Sequence, residues 1–151
     1  MAQAVREAQT RGFAEADPRS DLSGQDAAFK LGIITRTAFG VEVAPEQIDC
    51  SGIEQLTPAD VLAAQSANKN MRLVASCEHD GEKLRLSVQL CELEAGDYLA
   101  GACNEENRVE IHTAGGCVRL SGKGAGRWPT AVAVLGDVYA QLRASRNVLI
   151  R

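Results

Sequence analysis

The stretch RLVASCEHDGEKLRLSVQLCEL, residues 72–93, decides the fold. Apolar and polar residues alternate on both sides of Asp80-Gly81, and a period of two around a turn dipeptide is the signature of two antiparallel strands. A second pair follows at 108–113 and 117–121, joined through Ala114-Gly115-Gly116. Upstream the period lengthens. Ala27, Ala28, Leu31, Ile34, Thr35 and Ala38 recur every three or four positions before Gly40, which predicts a buried helix over roughly 24–39. TPADVLAAQSAN opens with Thr57 as N-cap, Pro58 at the first helical position and Asp60 in the first turn, which predicts a helix near 58–67. Val5 and Ala8 mark a short helix over 2–11 that Gly12 stops. Residues 12–26, rich in acids and turn formers, read as an ordered loop, and a last helix is expected from about Pro129 to Ala144. Helices grouped before strands favour an α+β fold, with helices packed on one face of a largely antiparallel sheet and a C-terminal helix after a Gly-rich turn. Residues 1–151 are read as a single domain.

The bulk properties exclude several functions. A net charge of −4 with no local Lys/Arg run gives nothing for a phosphate backbone, so nucleic acid is not an expected partner. No apolar stretch approaches the roughly 20 residues of a membrane span, and the N-terminus carries no signal-peptide pattern, so the expectation is a cytoplasmic chain with no membrane partner. The cysteines Cys50, Cys77, Cys91, Cys103 and Cys117 contain no CxxC pair, and only His79 and His112 could assist them, so no metal site is expected. Four of the five fall in predicted strands, where a thiol is a small apolar filler, and the odd count speaks against a disulfide framework.

Two places carry more polar or glycine content than structure requires. The acidic loop holds Glu15, Asp17 and Asp21 and runs into Asp26 and Lys30, four apart on one helix face. A lysine among carboxylates can donate and accept a proton when its surroundings tune it. The same spacing describes a solvated surface pair, and Asp17 before Pro18 reads most simply as a turn former. The second place is SGKGAGRWPTAVAVLGD, residues 121–137. A dinucleotide fingerprint needs a following parallel strand with an acid about 20 residues on, and the 25 residues after Gly126 are mostly helical. The full Rossmann reading therefore fails. What remains is either a tight strand-to-helix connection or a glycine backbone that a nicotinamide or phosphate can approach.

Taken together, in this order and about 95 residues apart, GFAEADPRSDLSGQDAAFKLGII (12–34) and GKGAGRWPTAVAVLGDV (122–138) resemble the two C-terminal motifs of the homoserine dehydrogenase family. SGIEQLTPADVLAAQ also looks like that family's helix before its sheet. The resemblance implies an oxidoreductase domain that interconverts L-homoserine and L-aspartate 4-semialdehyde with NAD(P), in amino-acid biosynthesis. It matches Lys30 to the proton donor and acceptor at the substrate oxygen and Asp26 to the catalytic aspartate that binds homoserine and assists that proton movement. Glu15 and Asp21 match further substrate-binding acids, and Gly126 matches a glycine lying against the cofactor. It also implies a homodimer through the sheet, and a nucleotide-binding domain that this sequence does not carry, without which activity is expected to be lost or nearly so. The alternatives are a non-catalytic homoserine-sensing or dimerisation module, and a relative acting on another amino acid or semialdehyde.

Overall fold

The computed structural model describes residues 1–148 as α+β, in two compact units that divide between Gly101 and Ala102. The first unit holds α1 (Ala2–Thr10), α2 (Arg19–Ser23), α3 (Gln25–Phe39), β1 (Asp49–Cys50), α4 (Pro58–Ser66), β2 (Lys69–His79) and β3 (Leu84–Glu94). The second holds β4 (Glu106–Thr113), β5 (Gly116–Lys123) and α5 (Arg127–Val148). No helix among the described residues is long and apolar enough to cross a membrane.

The alternation in residues 72–93 sorts the side chains of β2 and β3 as expected. The antiparallel register pairs Leu73 with Leu90, Ala75 with Val88 and Cys77 with Leu86. This face meets α3: Leu73, Cys77 and Leu86 pack around the buried cluster of Ala28, Leu31, Ile48 and Val88. On the opposite face Ser76 and Ser87 share a hydrogen bond of 2.9 Å and Glu78 stands across from Arg85. The connection is longer than the two-residue turn that Asp-Gly suggests. It runs from Asp80 to Lys83, because the Asp80 carboxylate accepts from the backbone N–H groups of Glu82 and Lys83 (3.1 and 3.0 Å) and folds the chain over itself.

The sheet differs from a single four-stranded layer. β1 adds to β3 in parallel, giving the order β1-β3-β2, while β4 and β5 form a separate antiparallel hairpin. Two residues of β1 are too few to show a period in sequence. The helix forecasts hold closely. Thr57 Oγ1 accepts from the Asp60 N–H and Asp60 accepts from the Thr57 N–H (2.9 Å), a reciprocal cap that starts α4 where Pro58 sits. The Thr57 hydroxyl, donating to the Asp60 carboxylate at 2.7 Å, and then the Thr57 N–H hold that carboxyl below the usual carboxylate range.

One expectation is corrected. Residues 12–26 are not all loop, since Arg19–Ser23 form the short helix α2, ended by Gly24 in a left-handed conformation (φ +82°). A single helical turn lacks the repeated apolar positions that reveal a longer helix. Gly24 then serves as the N-cap of α3.

The α2–α3 corner is seated on the sheet by a close approach between two backbones. A Cβ on Gly52 would stand 2.1 Å from the Leu22 carbonyl oxygen and 2.6 Å from the Ser23 Cα. A Cβ on Gly24 would stand 3.0 Å from Cys50 Sγ and 3.3 Å from a Val88 methyl. Removing both side chains lets the Ile53 N–H reach the Leu22 carbonyl (2.7 Å) while the Ser51 N–H bonds to Val88 on β3 (2.8 Å). The Cys50 thiol donates to the Ser23 carbonyl at 3.5 Å.

In the second unit, Val109 faces Leu120 and Ile111 faces Val118, and all four side chains are exposed. The other face of this hairpin is charged, with Arg119 donating to Glu110 at 2.8 Å. α5 likewise exposes Trp128, Val132, Leu135, Val138 and Leu142.

Two substitutions should move stability in opposite directions. Gly52→Ala forces backbone apart and should cost about 2 kcal/mol. Thr35 is fully buried on α3, and among the described residues its Oγ1 has no hydrogen-bond partner. Thr35→Val removes that stranded hydroxyl and should gain about 1 kcal/mol. Thermal denaturation of each variant beside the parent chain checks both.

Candidate functional site

The acidic segment is held in place at each end by local bonding. α1 ends with the Phe13 N–H bonded to the Ala8 carbonyl (2.9 Å) and the Gly12 N–H to the Gln9 carbonyl (3.0 Å), a paired closure that turns the chain toward Glu15. The half-buried Gln9 side chain then donates its amide to the carbonyl oxygens of Glu15 (2.9 Å) and Ala16 (3.2 Å). Further on, Asp17 accepts the Arg19 backbone N–H (3.2 Å) and grips the Arg19 guanidinium through both carboxylate oxygens. The turn-forming reading of Asp17 is therefore right. Arg19 also lowers the Asp17 pKa to about 2, first through the side-chain hydrogen bond and then through the backbone one.

α3 carries the next two residues. Its helical spacing brings Lys30 Nζ to 2.7 Å from Asp26 Oδ2, with both side chains reachable by solvent. An exposed i,i+4 pair contributes little to stability, so its value to the chain does not lie there. The structure shows a solvated pair, with both charged ends open to a ligand. Glu15 and Asp21 are exposed, and among the described residues neither carboxylate takes a hydrogen bond or ion pair. Four acids and a lysine thus fall into three states: Asp17 satisfied by Arg19, Asp26 satisfied by Lys30, and Glu15 and Asp21 left unpaired. Unpaired carboxylates suit an ammonium group, and a lysine held by an aspartate suits an oxygen that gains or loses a proton.

The glycine-rich turn belongs to the second unit and splits into two kinds of position. Gly124 has a structural reason to lack a side chain, because a Cβ there would stand 1.9 Å from the Asn107 amide nitrogen, and its own N–H bonds to Glu105 (2.7 Å). Lys123 is held by Glu105 at 2.8 Å. Gly126 is different. It has φ +105°, and a Cβ there would meet only Pro129 Cδ at 3.9 Å, so its backbone borders open space. Its carbonyl accepts from the Thr130 N–H and hydroxyl at the start of α5 (3.2 and 3.0 Å). This position fits the close approach of a flat ring, whereas Gly124 does not. Among the described residues no group of three or more His, Cys, Asp or Glu side chains is assembled as a metal cluster. All five cysteines are free.

Sequence reasoning missed two contributors. Gln9 sits among the polar residues of an amphipathic helix and nothing in its spacing marks it. Gly52 lies in a short irregular segment, and a glycine there signals only a turn until its neighbours are known.

This α+β chain presents unpaired acids and a lysine–aspartate pair on one short segment. The sequence profile of the homoserine dehydrogenase family matches residues 1–139. The homoserine dehydrogenase of Bacillus subtilis is 38% identical over 143 residues, which cover 94% of this chain and 33% of that protein. The NAD(+)-dependent homoserine dehydrogenase of Pseudomonas canavaninivorans is 32% identical, with 91% and 40% covered. Among solved structures, the homoserine dehydrogenase of Thiobacillus denitrificans superimposes with a TM-score of 0.82 at 33% identity, covering 91% of this chain and 32% of that one. That of Staphylococcus aureus at pH 6.5 gives 0.81 at 31% identity, covering 92% and 35%. The chain belongs to the homoserine dehydrogenase family. It spans about a third of the length of the first curated relatives it matches.

The Asp17–Arg19 contact makes a pH prediction. With the folded pKa depressed, the contribution of the contact to stability is present above the ordinary Asp value of 3.8 and is lost as pH falls toward about 2. Carboxyl-detected NMR titration should place Asp17 near 2 in the parent chain and return it toward 3.8 in Arg19→Ala. An unmoved midpoint in the variant would refute the assignment.

Proposed function

We propose that this chain is the substrate-binding and catalytic domain of an oxidoreductase that interconverts L-homoserine and L-aspartate 4-semialdehyde, working with a dinucleotide-binding domain. The observation that carries the reading is the Lys30–Asp26 pair at 2.7 Å in the same segment as two unpaired carboxylates. Glu15 and Asp21 would receive the substrate ammonium, since among the described residues neither carboxylate is taken by a hydrogen bond or ion pair. Lys30 would stand at the substrate oxygen. As homoserine is oxidised the hydroxyl gives its proton to the Lys30 amine, and in the reverse direction the Lys30 ammonium returns a proton to the aldehyde oxygen. Asp26 orients Nζ and balances its charge in the protonated state. NAD(P), when bound, supplies the two-electron hydride exchange. Gly126 would lie against it through an uncluttered backbone, and the remaining cofactor contacts are assigned to the dinucleotide-binding domain. The cofactor preference between NAD and NADP lies with that domain too.

The exposed cross-strand patch of Val109, Ile111, Val118 and Leu120 supports pairing of two copies through the sheet, since a contiguous apolar face of this kind gains by being covered. Val109→Glu with Leu120→Lys should shift the sedimentation of the chain from dimer to monomer. A parent chain that is monomeric at every concentration would remove the dimer from the proposal.

The decisive assay measures NAD(P)H formation from homoserine by the chain alone and by the chain complemented with a dinucleotide-binding domain of a homologous enzyme. Activity is expected only on complementation, and Lys30→Ala should lower it by about 100-fold or more. Homoserine binding by the chain, with no turnover in a competent complemented sample, would instead favour a homoserine-sensing module.

A further inference from the structure

We propose that Gln9 is a positioning residue for homoserine, acting through the peptide that carries Glu15; the inference rests on the substrate reading given above. The Glu15 side chain has no partner of its own among the described residues, so its placement depends on its backbone. That backbone is bounded by two fixed points. Upstream lies the closure of α1 at Gly12 and Phe13, and downstream lies the Asp17–Arg19 contact. Between them, the carbonyl oxygens of Glu15 and Ala16 both turn to one donor, the Gln9 side-chain amide, at 2.9 and 3.2 Å.

The geometry is specific to an amide of this length. One Nε2 carries two protons and can serve two consecutive carbonyls at once. Gln9 is half-buried, and its own carbonyl is already engaged by the Gly12 N–H, so the residue ties the last turn of α1 to the loop through both backbone and side chain. A donor that holds two successive carbonyls restrains the dihedral angles between them and hence the direction in which Glu15 leaves the chain. Preorganising a binding carboxylate lowers the ordering cost of ligand uptake, and it affects the ligand held by that carboxylate more than it affects the chemical step. Gln9 touches neither substrate nor cofactor in this scheme. Its effect should therefore fall on homoserine affinity and leave the hydride step and NAD(P) binding alone.

The test compares the parent chain with Gln9→Ala and Gln9→Glu. The second variant keeps the length and exchanges the donor for an acceptor that repels both carbonyls. Homoserine is titrated into each isotopically labelled chain by NMR, backbone order parameters are taken over residues 13–17, and steady-state constants are measured after complementation. Both variants should loosen residues 14–16 and weaken homoserine binding about 10-fold, raising its KM with kcat and the KM for NAD(P) unchanged. The melting temperature should stay close to that of the parent. Parent-like homoserine affinity in Gln9→Glu would overturn the proposal, as would equal losses in kcat and in both KM values. If the parent chain itself fails to take up homoserine while Lys30→Ala and the parent behave alike, the substrate reading has failed and this inference falls with it. Binding by the parent with no effect of Gln9 leaves the substrate reading standing and removes the clamp alone.

Discussion

The backbone contact between Gly52 and the Leu22–Ser23 peptide is the constraint on which the candidate site depends. With side chains absent at both Gly24 and Gly52, the corner between α2 and α3 comes down onto the strand segment around Cys50, and Val88 closes the core beneath it. This fixes the start of α3, and through it the rotation of a helix whose one face must bury Ala28 and Leu31. Asp26 and Lys30 then occupy the flank of the same helix by simple periodicity. The acids upstream are placed from the other direction, by the closure of α1 and the amide of Gln9. Functional groups with little burial of their own are thus positioned by glycine contacts and backbone bonds, which leaves their charged ends available.

How legible this was depended on the length of each signal. The β2–β3 ladder and α3 announce themselves because each carries an apolar repeat long enough to establish a period, and both lie where the pattern places them. α4 was legible from its cap, since Thr57, Pro58 and Asp60 each satisfy or avoid a stranded backbone N–H. β1 and α2 were not. A two-residue parallel strand and a five-residue helix owe their existence to tertiary contacts with Val88 and Gly52, and no local pattern encodes them. The separation of the β4–β5 hairpin from the larger sheet is likewise a matter of which strand edges meet.

The site shows the same division. Residue type and spacing identify Lys30 and Asp26 as a pair, and the resemblance to homoserine dehydrogenases selects them from other surface pairs. What spacing alone left open was which acids are occupied. Asp17 and Asp21 are both exposed acids on the approach to α3, yet Arg19 claims the first and not the second, a consequence of the turn at Pro18. Gly124 and Gly126 look equivalent in sequence. One is there to admit the Asn107 side chain, and the other leaves backbone bare.

The central claim is that the unpaired carboxylates and the lysine of one short segment divide the two ends of a homoserine molecule between them. A crystal structure of the chain grown with L-homoserine tests this directly. The account predicts the ligand ammonium on Glu15 and Asp21 and its hydroxyl within hydrogen-bond distance of Lys30 Nζ. Homoserine bound with its hydroxyl away from Lys30, or seated on residues outside this segment, would contradict it.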